Sequence, residues 1–333
     1  MKIIKTVLLF LLLGFIVLFC LFSSEVSETF VNTAVICIKN ITPSLLPVIF
    51  VSLIIINSNL TEVLPSKIRL LGVFVLSCVS GYPVGAKLLD TYCEKGYIKK
   101  ETASVLLPSF INAGPGFIIN IIGFGILNSK TIGIALFVSQ FLASFLIFLA
   151  LGGFSYLISE KYNVIKFSDI IQKSAYESVS SIRNICTYLI LINCFSKVIE
   201  LLLGAKVATI IIDISEITSA VLKQNNVFAI SILLSFCGIC IYLQVFSMVK
   251  NFKIKIVKLL LCRTLHVILS LSFLKIIFKI FNISTPVFSN ITSAVFPKQN
   301  QGIYFSIFLI FTFVCCILSI KRKSSGNLLK DLI

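Results

Sequence analysis

The chain has 333 residues, 58% hydrophobic and 13% charged, with a mean hydropathy of +1.06, which excludes a water-soluble globular fold. Lys and Arg number 29 against 13 Asp and Glu, a net charge of +16. Because the basic residues lie between apolar runs, they read as topology signals facing anionic lipid headgroups, and no nucleic-acid partner is expected.

A helix needs about 20 apolar residues to cross a hydrocarbon core of about 30 Å. The first run of that length is Ile3 to Phe22, preceded by Lys2 and Lys5. No small-x-small cleavage site follows, and Phe19 before Cys20 argues against a lipoprotein signal, so an uncleaved spanning helix with a cytoplasmic N-terminus is expected. Further apolar stretches occupy about 41–58, 68–90, 103–127, 131–158, 179–203, 207–222, 227–249 and 256–281. A last one, Gly302 to Ile320, is followed by Lys321, Arg322 and Lys323, which places the C-terminal end inside as well. Counted as simple crossings these stretches number ten, and Lys95, Lys99 and Lys100 would then face outward. Either that loop departs from the positive-inside tendency, or a neighbouring stretch enters and returns on one side.

Two stretches are suited to return, and both flank that basic loop. One carries Ser80-Gly81-Tyr82-Pro83-Val84-Gly85-Ala86-Lys87 and the other Asn112-Ala113-Gly114-Pro115-Gly116. Broken backbone at membrane depth is tolerated only inside protein or along a cavity, and its freed carbonyls and amides can hold an ion or a polar solute.

The chain also repeats itself. Ile38-Lys39-Asn40-Ile41 returns as Ile182-Arg183-Asn184-Ile185, an offset of 144, and Ser109-Phe110 returns as Ser235-Phe236, an offset of 126. By these offsets Gly81 to Lys87 is mirrored by Asp213 to Ser219, and Asn112 to Gly116 by Gly238 to Tyr242, followed by Gln244. Duplication places polar groups of both copies at one depth. Four crossings per copy would make the repeat parallel and three would invert it.

Charged groups at mid-membrane cost about 2.5–3.5 kcal/mol each and ask for a partner or a polar cavity. Lys87 and Asp90 are one turn apart, suited either to an interfacial salt bridge or to binding. Asp213 and Glu216 lie three apart, a spacing at which two carboxylates share a proton, a cation or a basic side chain, unless one reaches water at a helix end. Arg263 and His266, also three apart, follow the basic stretch Lys250, Lys253, Lys255 and Lys258. That stretch reads as a lipid anchor and His266 as a packed side chain. The 11 cysteines lie mostly in apolar segments and suggest neither a disulfide framework nor a metal site. Nucleophile–base–orienter sets, Walker-type loops, GxSxG and HExxH are missing, so neither enzyme activity nor a cofactor is expected.

Ser80 to Lys87, the run Ser109-Phe110-Ile111-Asn112-Ala113-Gly114-Pro115-Gly116-Phe117-Ile118, Glu216-Ile217-Thr218, and Ser235-Phe236-Cys237-Gly238 with Gln244 resemble the sporulation integral membrane proteins of the YlbJ type. That family is similar in turn to membrane proteins with a nucleoside-recognition or Gate domain. The resemblance covers about 35–275; Cys237 and Tyr242 depart from the small residue and the His expected there. It implies an all-α polytopic fold of eight to ten hydrophobic helices. The expected organisation is an N-terminal helix (1–24), two Gate-like repeats (25–160 and 161–282), and a C-terminal helix with a basic tail (283–333). It also implies a role in spore cortex formation, in a membrane around the forespore, with other sporulation proteins as partners. The expected core is transporter-like or channel-like and moves a small solute; the alternative is a scaffold that recruits cortex-assembly proteins. The expected site comprises Ser80, Gly81, Tyr82, Pro83, Gly85, Lys87, Asn112, Gly114, Pro115, Asp213, Glu216 and Gln244.

Overall fold

A computed structural model describes residues 2–154, 166–204, 214–222, 224 and 226–283; the expected C-terminal helix lies outside them. Every regular element among the described residues is helical, as the apolar runs require: in lipid, a helix satisfies its own backbone. Four helices among them are long and apolar enough to cross a membrane: Lys130–Ala150, Phe167–Leu203, Val227–Met248 and Ile256–Ile280. Leu9–Leu21 with Ser23–Lys39 gives a fifth if that pair, bent by 90°, is one span. The protein is thus an all-α, membrane-embedded bundle.

Helix α1 (Lys2–Leu21) meets α2 (Ser23–Ile36) at this bend. From α2 the chain runs through a π-turn, Cys37–Ile41, into α3 (Thr42–Asn57). Pro43 has no N–H to offer the preceding turn, and the wider turn, closed by Thr42 N–H to Cys37 O, carries the helix past it. Helix α8 (Phe167–Leu203) lies antiparallel along this run. Cys194 sits beside Val26, Cys186 beside Cys37, and Asn57 Nδ2 donates to Ser174 Oγ (3.1 Å) and Glu177 Oε2 (3.2 Å).

Helices α4 (Ser66–Ser80) and α5 (Val84–Glu94) form a re-entrant hairpin. The segment that leads into α4 touches the segment that leaves α5: Thr61 Oγ1 lies 2.6 Å from Tyr92 OH, and Tyr97 OH donates to Glu62 Oε1 at 2.9 Å. Of the two ways to place the loop after Cys93, the structure therefore takes entry and return on one side. Lys95 Nζ then caps the C-terminus of α3, donating to Ile56 O (2.6 Å), Asn57 O (2.9 Å) and Asn59 Oδ1 (2.7 Å). Asp90 is fully buried and ties down the loop after residue 248. Its Oδ1 accepts from Lys250 N (3.0 Å) and Asn251 N (2.8 Å), and its Oδ2 from Asn251 Nδ2 (2.9 Å). The loops carrying Lys95, Lys99 and Lys100 and those carrying Lys250, Lys253 and Lys255 thus share one end of the bundle, the basic end.

Burial, with the like charge of Lys173 nearby, pushes the Lys95 ammonium down to about 8. Because the folded state binds this proton less readily than the unfolded chain, stability contributed here rises with pH between about 8 and the free lysine value of about 10.4. Acylation of Lys95 in the folded protein, followed by mass spectrometry, should be half-maximal near pH 8, whereas exposed lysines react two units higher; a midpoint near 10 would refute the burial.

From the basic end, α6 (Lys100–Leu106), a 3-10 turn (Leu107–Phe110) and a π-helix (Gly116–Ile126) traverse the bundle as one broken run, and α7 (Lys130–Ala150) returns antiparallel to it. The π-helix and α7 pack backbone to backbone: a Cβ on Gly123 would stand 2.5 Å from Gly133 Cα. Small residues replace the missing hydrophobic drive between membrane helices in this way. After α8 come α9 (Ile217–Leu222), α10 (Val227–Phe236) and α11 (Ile239–Met248), the last two one run broken at Cys237-Gly238. Helix α12 (Ile256–Ile280) completes the described part.

The element order thus occurs twice with its direction reversed. Toward the basic end run α2–α3, then away from it the broken α6–π run, then back α7. Away from it runs α8, then toward it the broken α10–α11 run, then away α12. Among the described residues, each set has three traversing runs.

Candidate functional site

The two Gly/Pro clusters meet. Gly81 ends α4 with φ +77°, and a Cβ there would lie 2.9 Å from Gly114 N; a Cβ on Gly114 would lie 3.2 Å from Val79 O. A Cβ on Gly85 would overlap the Phe110 carbonyl oxygen. Pro83 stands at the N-cap of α5 and Pro115 at that of the π-helix. The hairpin tip therefore crosses the broken α6–π run, and only glycine lets the two backbones touch. A second crossing is built alike: a Cβ on Gly238 would lie 2.8 Å from Ser215 O and 3.1 Å from Ile217 N, so the segment before α9 crosses the break between α10 and α11. Cys237 holds the left-handed conformation here, φ 59°.

Arg263, on α12, joins the two breaks. It is 1% exposed, and its NH1 donates to Ile111 O (2.8 Å) at the first break. Its NH2 reaches Leu234 O (3.4 Å) and Cys237 Sγ (3.2 Å) at the second. A guanidinium matches this task, since its fork offers donors in two directions and keeps its charge when buried. One turn on, His266 Nε2 lies 2.8 Å from Ser144 Oγ and 3.2 Å from Gln140 O. Ser144 donates to Asn112 Oδ1, and Asn112 Nδ2 donates to Ser109 O (2.7 Å) and Cys78 Sγ (3.3 Å). On the other side Gln140 Nε2 donates to Ser231 Oγ (3.1 Å) and Ser235 Oγ (3.0 Å), and Ser235 Oγ lies 2.8 Å from Ser270 Oγ. A continuous polar seam thus runs from Cys78 through Asn112, Ser144, His266 and Gln140 to Ser270, inside an otherwise apolar core.

The expected site residues divide accordingly. Gly81, Tyr82, Pro83, Gly85, Asn112, Gly114 and Pro115 gather at the first crossing. Ser80 stands at its edge, its Oγ 2.7 Å from Ser52 Oγ. Glu216, 3% exposed, sits at the second crossing within electrostatic reach of Tyr82 and Cys240. Gln244 lies one turn further along α11, bonded to Cys240 Sγ at 3.3 Å. Lys87 is not brought to the crossing: it faces α8, 3.9 Å from Glu177 Oε1, and makes no bond with Asp90. Asp213 lies outside the described residues.

Sequence reading set aside Arg263 and His266 and did not single out Ser144 or Gln140. For Arg263 and His266 a signal existed: they stand inside a helix of 25 residues, well past its basic start, on one face at a spacing of three. Gln140 had a weaker one, an amide at the middle of an apolar 21-residue helix. Among the described residues no three His, Cys, Asp or Glu side chains converge as a metal site requires. Comparison with family models, curated proteins and solved structures finds no match for this chain.

Proposed function

We propose that the chain is a sporulation membrane protein whose core moves a small polar solute, and that the solute is held where the two broken helix pairs converge on Arg263. The observation that carries this reading is the pair of breaks bridged by one buried side chain. Broken backbone, a buried charge and a polar seam are each costly in a membrane interior, and together they are the materials of a translocation site. Reversed element order supports a duplicated, inverted design in which two halves rock about the fixed centre. The resemblance of Ser80 to Lys87 and of Ser109 to Ile118 to sporulation membrane proteins of the YlbJ type is what supports the setting, a membrane around the developing spore and the formation of its cortex. By the positive-inside tendency, the basic end faces the cytoplasm.

Asn112→Ala tests the reading, because it removes one link of the seam and leaves both backbones in place. In a spore-forming host lacking the gene, wild type should restore cortex and heat resistance. Asn112→Ala, at equal protein level, should restore them poorly, and proteoliposomes carrying it should show at least a tenfold lower solute flux. Full complementation and full flux by Asn112→Ala would refute a site at this place.

A further inference from the structure

We propose that the solute bound at the crossing is an anion, carrying a carboxylate or phosphate-type group that docks on Arg263. This rests on the reading of the crossing as a solute site.

A guanidinium carries a positive charge, and burial of such a charge demands compensation. Each acceptor it reaches is neutral: the carbonyls of Ile111 and Leu234 and the Cys237 thiol, with the Tyr242 hydroxyl alongside. Its Nε is buried and has no hydrogen-bond partner among the described residues. Two further buried polar atoms share that condition and lie within its electrostatic reach, Tyr82 OH and His266 Nδ1. Arg263 Nε and Tyr82 OH can donate, whereas His266, whose Nε2–H faces Ser144 Oγ and Gln140 O, keeps Nδ1 as an acceptor. A guanidinium edge with a neighbouring hydroxyl donor is the chemistry that recognises an oxyanion. Glu216, the carboxylate of the neighbourhood, borders Tyr82 and Cys240 and has interactions of its own. The same arrangement disfavours a cation, since the break carbonyls at Ile111 and Leu234 already face a resident positive charge.

The test uses the full chain in a neutral maltoside detergent without anionic lipid, so that headgroup phosphates do not compete. The probes are inorganic phosphate, acetate, benzoate and succinate, with acetamide, benzamide and succinamide as uncharged counterparts. At least one anion should raise the melting temperature in a saturable way, and its amide should not. Arg263→Gln should weaken that anion by about 30-fold or more. Tyr82→Phe, which loses no bond within the protein, should fold normally and bind about tenfold more weakly. Amides protecting as well as anions, an anion effect unchanged in both variants, or no anion effect in wild type would each overturn the proposal. Flux in proteoliposomes separates the two readings. Transport of amides but not anions would leave the solute site standing without its charge preference, and flux of neither class would remove the solute site itself.

Discussion

Alanine at Gly85 is expected to destabilise the folded protein by about 3 kcal/mol or more and to sharply reduce the folded fraction in membranes. The added methyl has nowhere to go. It would overlap the Phe110 carbonyl oxygen and stand 2.9 Å from Ser77 Cβ, so it is trapped between a backbone carbonyl and a Cβ fixed to its own helix, neither of them the far end of a flexible side chain. Relief would require separating the hairpin from the 3-10 turn at Leu107–Phe110, and the crossing depends on that contact. Gly116 supplies the control: a Cβ there meets nothing within 4 Å, so Gly116→Ala should stay within about 1 kcal/mol of wild type. Thermal unfolding of both variants in lipid nanodiscs decides the matter. Equal melting temperatures would mean that the close approach of α5 to Phe110 is absent in the native protein.

Removal of the carboxylate at Asp90 should cost about 3–5 kcal/mol. Three donors converge on this fully buried side chain, two of them backbone N–H groups of Lys250 and Asn251. Asp90→Ala leaves those groups without an acceptor and frees the loop that holds α11 against α5 at the basic end. Asp90→Asn keeps one acceptor oxygen but sets its amide against Asn251 Nδ2, so an intermediate loss is expected. Trypsin digestion of vesicles with the basic end exposed provides a local measure. Cleavage after Lys250, Lys253 and Lys255 should accelerate at least tenfold in Asp90→Ala while cleavage elsewhere changes little. An unchanged digestion pattern would show that the loop is held by other contacts.

The parts of the architecture that the sequence foretold are those written in local chemistry. Apolar runs announced the helices, and Gly and Pro announced where they break, because a broken helix at membrane depth needs residues that tolerate unusual backbone and close approach. What could not be read was pairing across the fold. Lys87 and Asp90, one turn apart, invited each other; the structure gives Lys87 to Glu177 and Asp90 to the loop at Lys250, partners 90 and 160 positions away. Helix α8 begins at Phe167, twelve residues before its apolar stretch, and that polar extension is what brings Glu177 to Lys87. Arg263 follows Lys258 by five positions, and nothing in the local sequence distinguishes a basic side chain that bridges two distant breaks from one that merely follows a basic stretch. Cys237, read as a departure from the expected small residue, turns out to hold the conformation that glycine would favour, with its sulfur accepting a hydrogen bond from Arg263 NH2.

The re-entrant hairpin also constrains how the protein is made. At 15 and 11 residues, α4 and α5 are about 22 and 16 Å long, each shorter than the hydrocarbon core. Neither can rest in lipid as an independent span. At the tip, Gly81 packs against the backbone of Asn112 and Gly114, which the ribosome delivers about thirty residues later. The hairpin must therefore wait at the translocon or at the membrane surface until α6 and the π-helix arrive. Its insertion is then a step of tertiary assembly rather than of translocation, and a nascent chain arrested between Lys95 and Lys100 carries a segment with no stable place in the bilayer.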